Sequence, residues 1–517
     1  MVKSKETKRR VSAGSDLAFL KTKSVGDFVK SAMTVYGSEV NEDRAIPSYQ
    51  DGFKPVQRRL VWAGGLVAKT KVKSAVPCAT AMGDFHPHGD ASLYQALVNM
   101  VNSNVPPYTG LGGWGSLIDP ASAMRYTNVF LSKYGMEFLK REYLAVVPRV
   151  PNYDSTKEEP LYLPALLPNI LLNPTSGIGV GMATNIPSYT PESLLTMCLR
   201  VLKKEVLTPT DWAKGLDFYD PWGSKLLKTK TNFEALKAFY ECANGSIDFY
   251  APVTLDSVKK QIRLEYFTPG IRIQSSEKKR NEKSAKDSDT GLGVIDRIRK
   301  IPQVDQVYTD GGLTFVVQIR KTVNTNECEQ VHARIQKMMT AKQSFNIYVT
   351  SRTPSTEGSY EVKFHNVSVP ELITMWLKFR VKLEVSSLEW RIEEQKKAID
   401  YTKLMILACS SLDKIFHLLK QRLSKEDLNN GLKSSLKITK EQASQVMELR
   451  VHQLSKLDHD QQSTKLEEQQ AVLSQLEKDV KRPVSVVSKY LETAKTRFAS
   501  FTETNPQQIQ WQLKGAM

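Results

Sequence analysis

The sequence reads as an α+β multidomain protein ending in a long antiparallel coiled coil, and three observations carry that reading. Two stretches far apart hold residues at heptad spacing: Leu372, Trp376, Phe379 and Leu383, then Leu466, Gln469, Leu473, Leu476 and Val480. Between residues 151 and 365, runs rich in β-branched and aromatic residues (313–319, LTFVVQI; 345–350, FNIYVT) mark strands within a mixed α/β region. Before residue 150, helix starts alternate with turn signals. A length of 517 residues corresponds to roughly three domains with sizeable cores.

Composition narrows the function classes. Lys and Arg number 72 against 55 Asp and Glu, a formal net charge of +17. A polyanionic partner, nucleic acid before anionic lipid, is the reading of such a surplus, because cations near phosphates release counterions. No run of 18 apolar residues offers a membrane span, and the polar start MVKSKETKRR has no apolar segment of a secretory signal behind it. Five widely spread cysteines without a CxxC indicate a reduced intracellular protein with no zinc site.

Residues 1–25 form a Lys/Ser/Thr-rich arm expected to be disordered. In PSYQDGFKPVQRRL the Asp51-Gly52 turn leads into a basic helix with Pro55 in its first turn. Asp90 is a good N-cap for a second helix with Leu93, Leu97 and Val101 at i, i+4, i+8. Two helices separated by a turn-rich stretch suit a helix-turn-helix. Residues 275–290, charged and without aromatics, read as an exposed loop. Ser368-Val-Pro-Glu371 is a capping box opening a long helix. Shorter helices follow, then the second heptad stretch, and Pro483 marks a break. The simplest geometry is two long antiparallel helices with a small helical globule at their far end.

Two patterns carry little. GLGGWG (110–115) matches GxGxxG but follows no strand, so a tight loop is expected rather than a dinucleotide site. Asp287 and Asp289 lie in the charged loop, where a solvated run is the reading.

Three segments hold the chemistry. RAIPSYQDGFKPVQRR supplies Arg44, Lys54, Arg58 and Arg59; GDFHPHGD supplies His86, His88 and Asp90; AMRYT supplies Arg125 and Tyr126. Arginines offer paired donors to the non-bridging oxygens of a phosphodiester. Histidines donate a proton or hydrogen bond near neutral pH. A tyrosine hydroxyl can act as nucleophile and split strand breakage into two transfers. Tyrosine ordinarily ionises near pH 10, so a cationic neighbour or a metal must help.

These segments resemble the breakage-reunion subunit of type IIA DNA topoisomerases, the family of the gyrase A subunit, the topoisomerase IV C subunit and the medium subunit of T-even-type phage enzymes. GIGVGMATNIP (177–187) and ITKEQASQVMELRVHQLSKLDHD (438–460) join the match, which runs from about residue 26 to about residue 505. A likeness to a phage or viral medium subunit is expected from the resemblance. The resemblance implies a winged-helix DNA-gate domain over 26–150, an α/β tower over 151–365, a coiled coil with a helical C-gate over 366–505 and a tail over 506–517. It implies Tyr126 as the nucleophile that captures a 5′ phosphate, with Arg125 stabilising the transition state. Arg44, Lys54, Arg58, Arg59, His86 and His88 would line the scissile phosphate and backbone. Asp90 would cap the helix laid against DNA, and Ile178 would be the intercalating wedge.

The resemblance further implies a cytoplasmic homodimer closed through the DNA gate and C-gate, acting on double-stranded DNA. A partner with ATPase and TOPRIM modules would complete a heterotetramer or larger complex and bind the Mg²⁺ and ATP, neither of which this chain is expected to hold. Because the chain stops at Met517 with no β-pinwheel, relaxation and decatenation are expected rather than supercoiling. Ala91 and Gln95 stand where bacterial members usually carry Ser and an acid that anchor quinolones. Weak quinolone sensitivity is therefore expected, to be read from drug-trapped cleavage. A DNA-binding architectural protein with a coiled-coil arm is the alternative, separated by covalent attachment at Tyr126.

Overall fold

The computed structural model describes residues 24–501 except 117–118, 221, 275–291, 311–313, 356–359, 422–423 and 449–455. The basic arm up to residue 23, the charged loop 275–290 with Asp287 and Asp289, and the tail 506–517 lie outside the described residues.

Helix α1 (Val25–Val40) is capped by Ser24 and runs into a π turn, Asn41–Ala45. A tight turn follows at Asp51 and Gly52. Gly52 has a φ of +73°, and a Cβ there would come within 2.4 Å of the Ile170 backbone nitrogen, so this turn requires glycine. Pro55 then opens helix α2 (Pro55–Val67), and the Gln57 side chain accepts the Lys54 N–H at 3.0 Å.

The stretch read as turn-rich beyond α2 holds a short strand β1 (Val72–Lys73) and a further helix, α3 (Ala75–Asp84). Pro77 lies in its first turn, where a missing N–H removes no intrahelical bond. Helix α4 (Asp90–Val101) begins five residues past α3, and its cap is Gly89 in extended backbone rather than Asp90. Asp90 is the first helical residue, and its carboxylate accepts the Ala91 N–H at 2.9 Å. Strands β2 (Tyr108–Leu111) and β3 (Asn128–Leu131) complete a three-stranded antiparallel sheet in the order β1-β3-β2.

The 110–115 glycine segment does follow a strand: Gly110 and Leu111 end β2, and the tight loop begins at Gly112. Gly112 and Gly115 adopt left-handed backbone, and Gly110 lies against the indole of buried Trp114.

Leu60, Leu93, Leu97, Tyr108 and Trp114 share one core with residues far along the chain. It takes in Ile170, Tyr189, Leu194, Phe239 and Phe249, then Leu372 and Trp376, and finally Val487, Leu491 and Phe498. The core therefore runs across residues 150 and 365. It supports a five-stranded antiparallel sheet in the order Thr175–Ile178, Ala183–Ile186, Thr340–Asn346, Asn244–Tyr250, Lys225–Leu226. A second core, from Ala251 to Met339, lies under a four-stranded sheet with Thr314–Ile319 in an inner position. The run 345–350 is divided between two strands. Ile347 is buried and donates to the Ala243 carbonyl, which turns the chain from the five-stranded sheet into the Tyr348–Pro354 hairpin strand.

Ser368 and Glu371 cap the 42-residue helix Val369–Ser410. Its first turns sit in the main core. Farther out, Leu388 and Ile392 meet Leu476, with Leu473 and Val480 beside them, on the returning helix Lys456–Val480. Only the second heptad stretch supplies this seam, through Leu473, Leu476 and Val480; Leu372, Trp376, Phe379 and Leu383 of the first pack into the body of the protein instead. At the far end, Leu404 and Ala408 join three short helices around Ile415, Leu432, Leu436 and Val446. The break expected at Pro483 is present, with residues 481–482 outside either helix, and Pro483 opens a further helix, Pro483–Phe501, which returns to the main core through one apolar stripe. Among the described residues no helix is long and apolar enough to cross a membrane.

Where the long helix leaves the body, Arg380 pairs with Glu384 at 2.7 Å with both side chains buried. Tyr143 donates to Glu384 at 2.8 Å, and the Tyr143 and Tyr490 rings lie 5.2 and 5.5 Å from the guanidinium. Arg380→Met strands the Glu384 carboxylate and is expected to lower stability by about 3 kcal/mol. Thermal melting checks this, and adding Glu384→Leu is expected to recover most of the loss.

Candidate active site

Tyr126 sits in the turn that leads into β3 and is 65% exposed. Its ring lies under the Arg125 guanidinium at 4.8 Å. What fixes this turn is the next residue. The fully buried Thr127 hydroxyl donates to Ser74 at 2.8 Å and meets the Tyr94 hydroxyl at 3.1 Å. Tyr94 donates in turn to the Ser122 carbonyl at 2.5 Å. Ser74 precedes α3 and Tyr94 lies on α4, so both helices hold the tyrosine turn.

The second cluster joins α2 to the α3–α4 turn. Arg59 grips Glu159 through Nε and Nη2 at 2.7–3.0 Å, and its Nη1 donates to His86 Nδ1 at 3.1 Å. An arginine has donors only, so His86 carries its proton on Nε2. His86 and His88 stack with centroids 4.3 Å apart. Burial, then Arg59 and His88, push the His86 pKa down to about 4.

This shift predicts a pH dependence. The folded value lies below the ordinary 6.5, so folding excludes a proton. The stability is complete above pH 6.5 and falls as pH drops toward 4, by about 3 kcal/mol. In His86→Gln this part of the acid dependence is expected to vanish, as read from denaturant midpoints across that range.

The third cluster surrounds Ile178, which ends the strand Thr175–Ile178 and is 89% exposed. Lys54 Nζ donates to the Ser176 carbonyl at 2.5 Å, and burial holds its pKa below the usual lysine range. Arg44 is exposed in the π turn beside this hairpin. The turn is gripped from behind by Arg352, which donates to the Glu42 carbonyl at 2.9 Å and pairs with Asp43 at 3.7 Å.

Arg58 does not join these groups. It is buried, with Nε on Asp51 at 2.6 Å and Nη2 on Asp51 at 3.2 Å, so these donors face inward to the carboxylate. Among the described residues, no hydrogen bond, ion pair or ring contact joins Tyr126 to the histidine pair within one chain. Ala91 and Gln95 lie on the exposed start of α4, where Gln95 donates to Asn99. Glu159, Asn41, Ser74 and Tyr94 position the site without any local motif to announce them. Among the described residues no group of three or more His, Cys, Asp or Glu is placed to hold a metal ion.

An exposed tyrosine under an arginine, a stacked histidine pair held by another arginine, and a bare isoleucine on a hairpin tip define a class of α+β protein with a long helical arm. The chain belongs to the family of the DNA gyrase/topoisomerase IV A subunits, which it matches over residues 44–493. It is 30% identical over 447 residues to the A subunit of DNA topoisomerase 4 from Salmonella typhimurium, covering 84% of this chain and 56% of that protein. The corresponding Pseudomonas aeruginosa protein is 28% identical over 491 residues, covering 92% and 62%. For Staphylococcus epidermidis the figures are 27% over 467 residues, 88% and 55%. The chain thus spans between 55% and 62% of the length of these relatives.

Proposed function

We propose that this chain is the DNA-cleaving and rejoining subunit of an ATP-dependent type IIA topoisomerase that relaxes supercoils and decatenates DNA. The observation that carries the reading is Tyr126: exposed, beneath Arg125, on a turn locked by Thr127, in a member of this family. The Tyr126 hydroxyl gives up its proton to solvent as its oxygen attacks a backbone phosphorus, the bond from phosphorus to the 3′ oxygen breaks, and that oxygen takes up a proton from solvent. The product is a 5′-phosphotyrosyl end and a free 3′ hydroxyl. Reversal reseals the strand without loss of bond energy. Arg125 supplies paired donors to the charge that builds on the phosphate oxygens. His86, neutral and protonated on Nε2, donates a hydrogen bond, and His88, Arg59, Arg44 and Lys54 hold the adjoining backbone. The α4 N-terminus with Asp90 faces the duplex, and Ile178 enters between base pairs and bends it.

The domain division proposed is a winged-helix gate over α2–α4 and β1–β3, a tower containing the second core, and the helical arm. Two copies are needed to cut two strands. Exposed Phe416 and Leu419 on the end globule are the apolar surface for one contact between them. Mg²⁺ and ATP would be bound by a partner carrying ATPase and TOPRIM modules in a heterotetramer or larger complex, acting on DNA in the cytoplasm. In support, the relatives are named as subunits.

The test is a cleavage reaction with the co-expressed partner, Mg²⁺ and a supercoiled plasmid, stopped with detergent. Double-strand breaks with protein on the 5′ ends are expected. Protein on 3′ ends, or DNA bound and bent with no covalent complex, would sink the proposal, the latter in favour of the architectural alternative.

A further inference from the structure

We propose that Asn41 is a positioning residue that couples insertion of Ile178 into DNA to the placement of Arg44. This rests on the reading of Ile178 as a wedge.

The tip of the Ile178 hairpin rests directly on the π turn. The Asn41 side chain makes both backbone hydrogen bonds of Val180: its Oδ1 accepts the N–H at 2.8 Å and its Nδ2 donates to the carbonyl at 2.9 Å. The Asn41 carbonyl accepts from the Ile46 N–H and so closes the π turn itself. Backbone and side chain of one buried residue thus join the turn to the tip.

The glycines around Ile178 report how close this seating is. A Cβ at Gly179 would fall 1.9 Å from Asn41 Oδ1, and one at Gly177 would fall 2.0 Å from the Ala45 carbonyl oxygen. No side chain fits between tip and turn. Lys54 holds the base of the same hairpin at Ser176.

Arg44 lies three residues beyond Asn41 in the same turn, and Arg352 anchors that turn from behind. When base pairs open around Ile178, the stacking energy pushes back on the tip. Val180 passes that load through Asn41 to the turn that carries Arg44. An unclamped tip would yield, and the duplex would stay straight. π turns inside helical segments often mark such functional positions.

The test uses the full chain and a duplex of about 30 base pairs with end fluorophores, long enough to register a bend. Energy transfer reads the bend, anisotropy reads affinity, and melting reads folding. Asn41→Leu removes both bonds at similar volume and is expected to lower the bent fraction about tenfold. Affinity is expected to stay within about threefold, because phosphate contacts dominate it. Ile178→Ala is expected to match it, and the double variant to lose no more than either single one. Asn41→Asp keeps the bond to the Val180 N–H, preserves the turn where leucine melts early, and is expected to bend less than wild type. Wild-type bending in Asn41→Leu, or losses that multiply in the double variant, would overturn the coupling while leaving the wedge intact. Wild-type bending in Ile178→Ala would remove the wedge reading itself and the coupling with it.

Discussion

Tyr126→Phe is expected to abolish covalent attachment to DNA, with cleavage at least about a thousandfold below wild type. Melting temperature and DNA affinity are expected to stay at wild-type values. The geometry separates the two effects. The ring, retained in phenylalanine, is the part that meets the Arg125 guanidinium. Among the described residues no hydrogen bond ends on the Tyr126 hydroxyl, so its removal leaves no partner unsatisfied. The turn is fixed by Thr127, Ser74 and Tyr94, none of which changes. Arg125→Ala keeps the nucleophile and loses charge stabilisation, so a smaller fall of about a hundredfold to a thousandfold is expected. Detergent-trapped cleavage on labelled DNA reads all three proteins. A covalent complex surviving in Tyr126→Phe would mean a different nucleophile and would end the present assignment.

Much of this was legible in local patterns because local physics decides it. Ser368 and Glu371 announce a helix start whatever follows, and heptad spacing places Leu473, Leu476 and Val480 on one stripe that must find an apolar partner. The tyrosine beside an arginine stood out only because AMRYT occurs together with the other two segments and shares their family resemblance; its exposure is a property of the fold. What escaped depends on contacts distant in sequence. Asn41 meets Val180 across 139 residues, and Arg59 meets Glu159 across 100. Asn41 and Glu159 lie outside every motif, and nothing local pairs them with Val180 and Arg59. The return of Pro483–Phe501 to the main core is equally non-local: Val487, Leu491 and Phe498 form a stripe, but nothing nearby says what covers it. The different setting of Arg58 and Arg59 has a local reason. Neighbours on a helix point about 100° apart, and on α2 Arg58 turns to the buried Asp51 while Arg59 turns to Glu159 and His86.

Asp51→Ala follows from that inward arginine and is expected to cost about 5 kcal/mol of stability, the largest single loss in the gate region. The Asp51 carboxylate is fully buried and accepts four hydrogen bonds: two from Arg58, one from the Phe53 N–H at 3.0 Å and one from the Leu163 N–H at 3.0 Å. Truncation strands a buried guanidinium and two backbone donors together. Arg58→Ala is expected to cost less, about 3 kcal/mol, because the carboxylate keeps both backbone donors. Denaturant titrations order the two. The salt dependence of DNA binding then separates scaffold from contact. A residue on a phosphate lowers the slope of log affinity against log salt by about one when removed. Arg44→Ala is expected to do so. Arg58→Ala is expected to leave the slope unchanged wherever it remains folded, because the side chain is buried with Nε and Nη2 on Asp51. A lowered slope in Arg58→Ala would mean that DNA draws this arginine out of its buried pair, and Asp51 would then be a store of binding charge instead of the keystone of the turn.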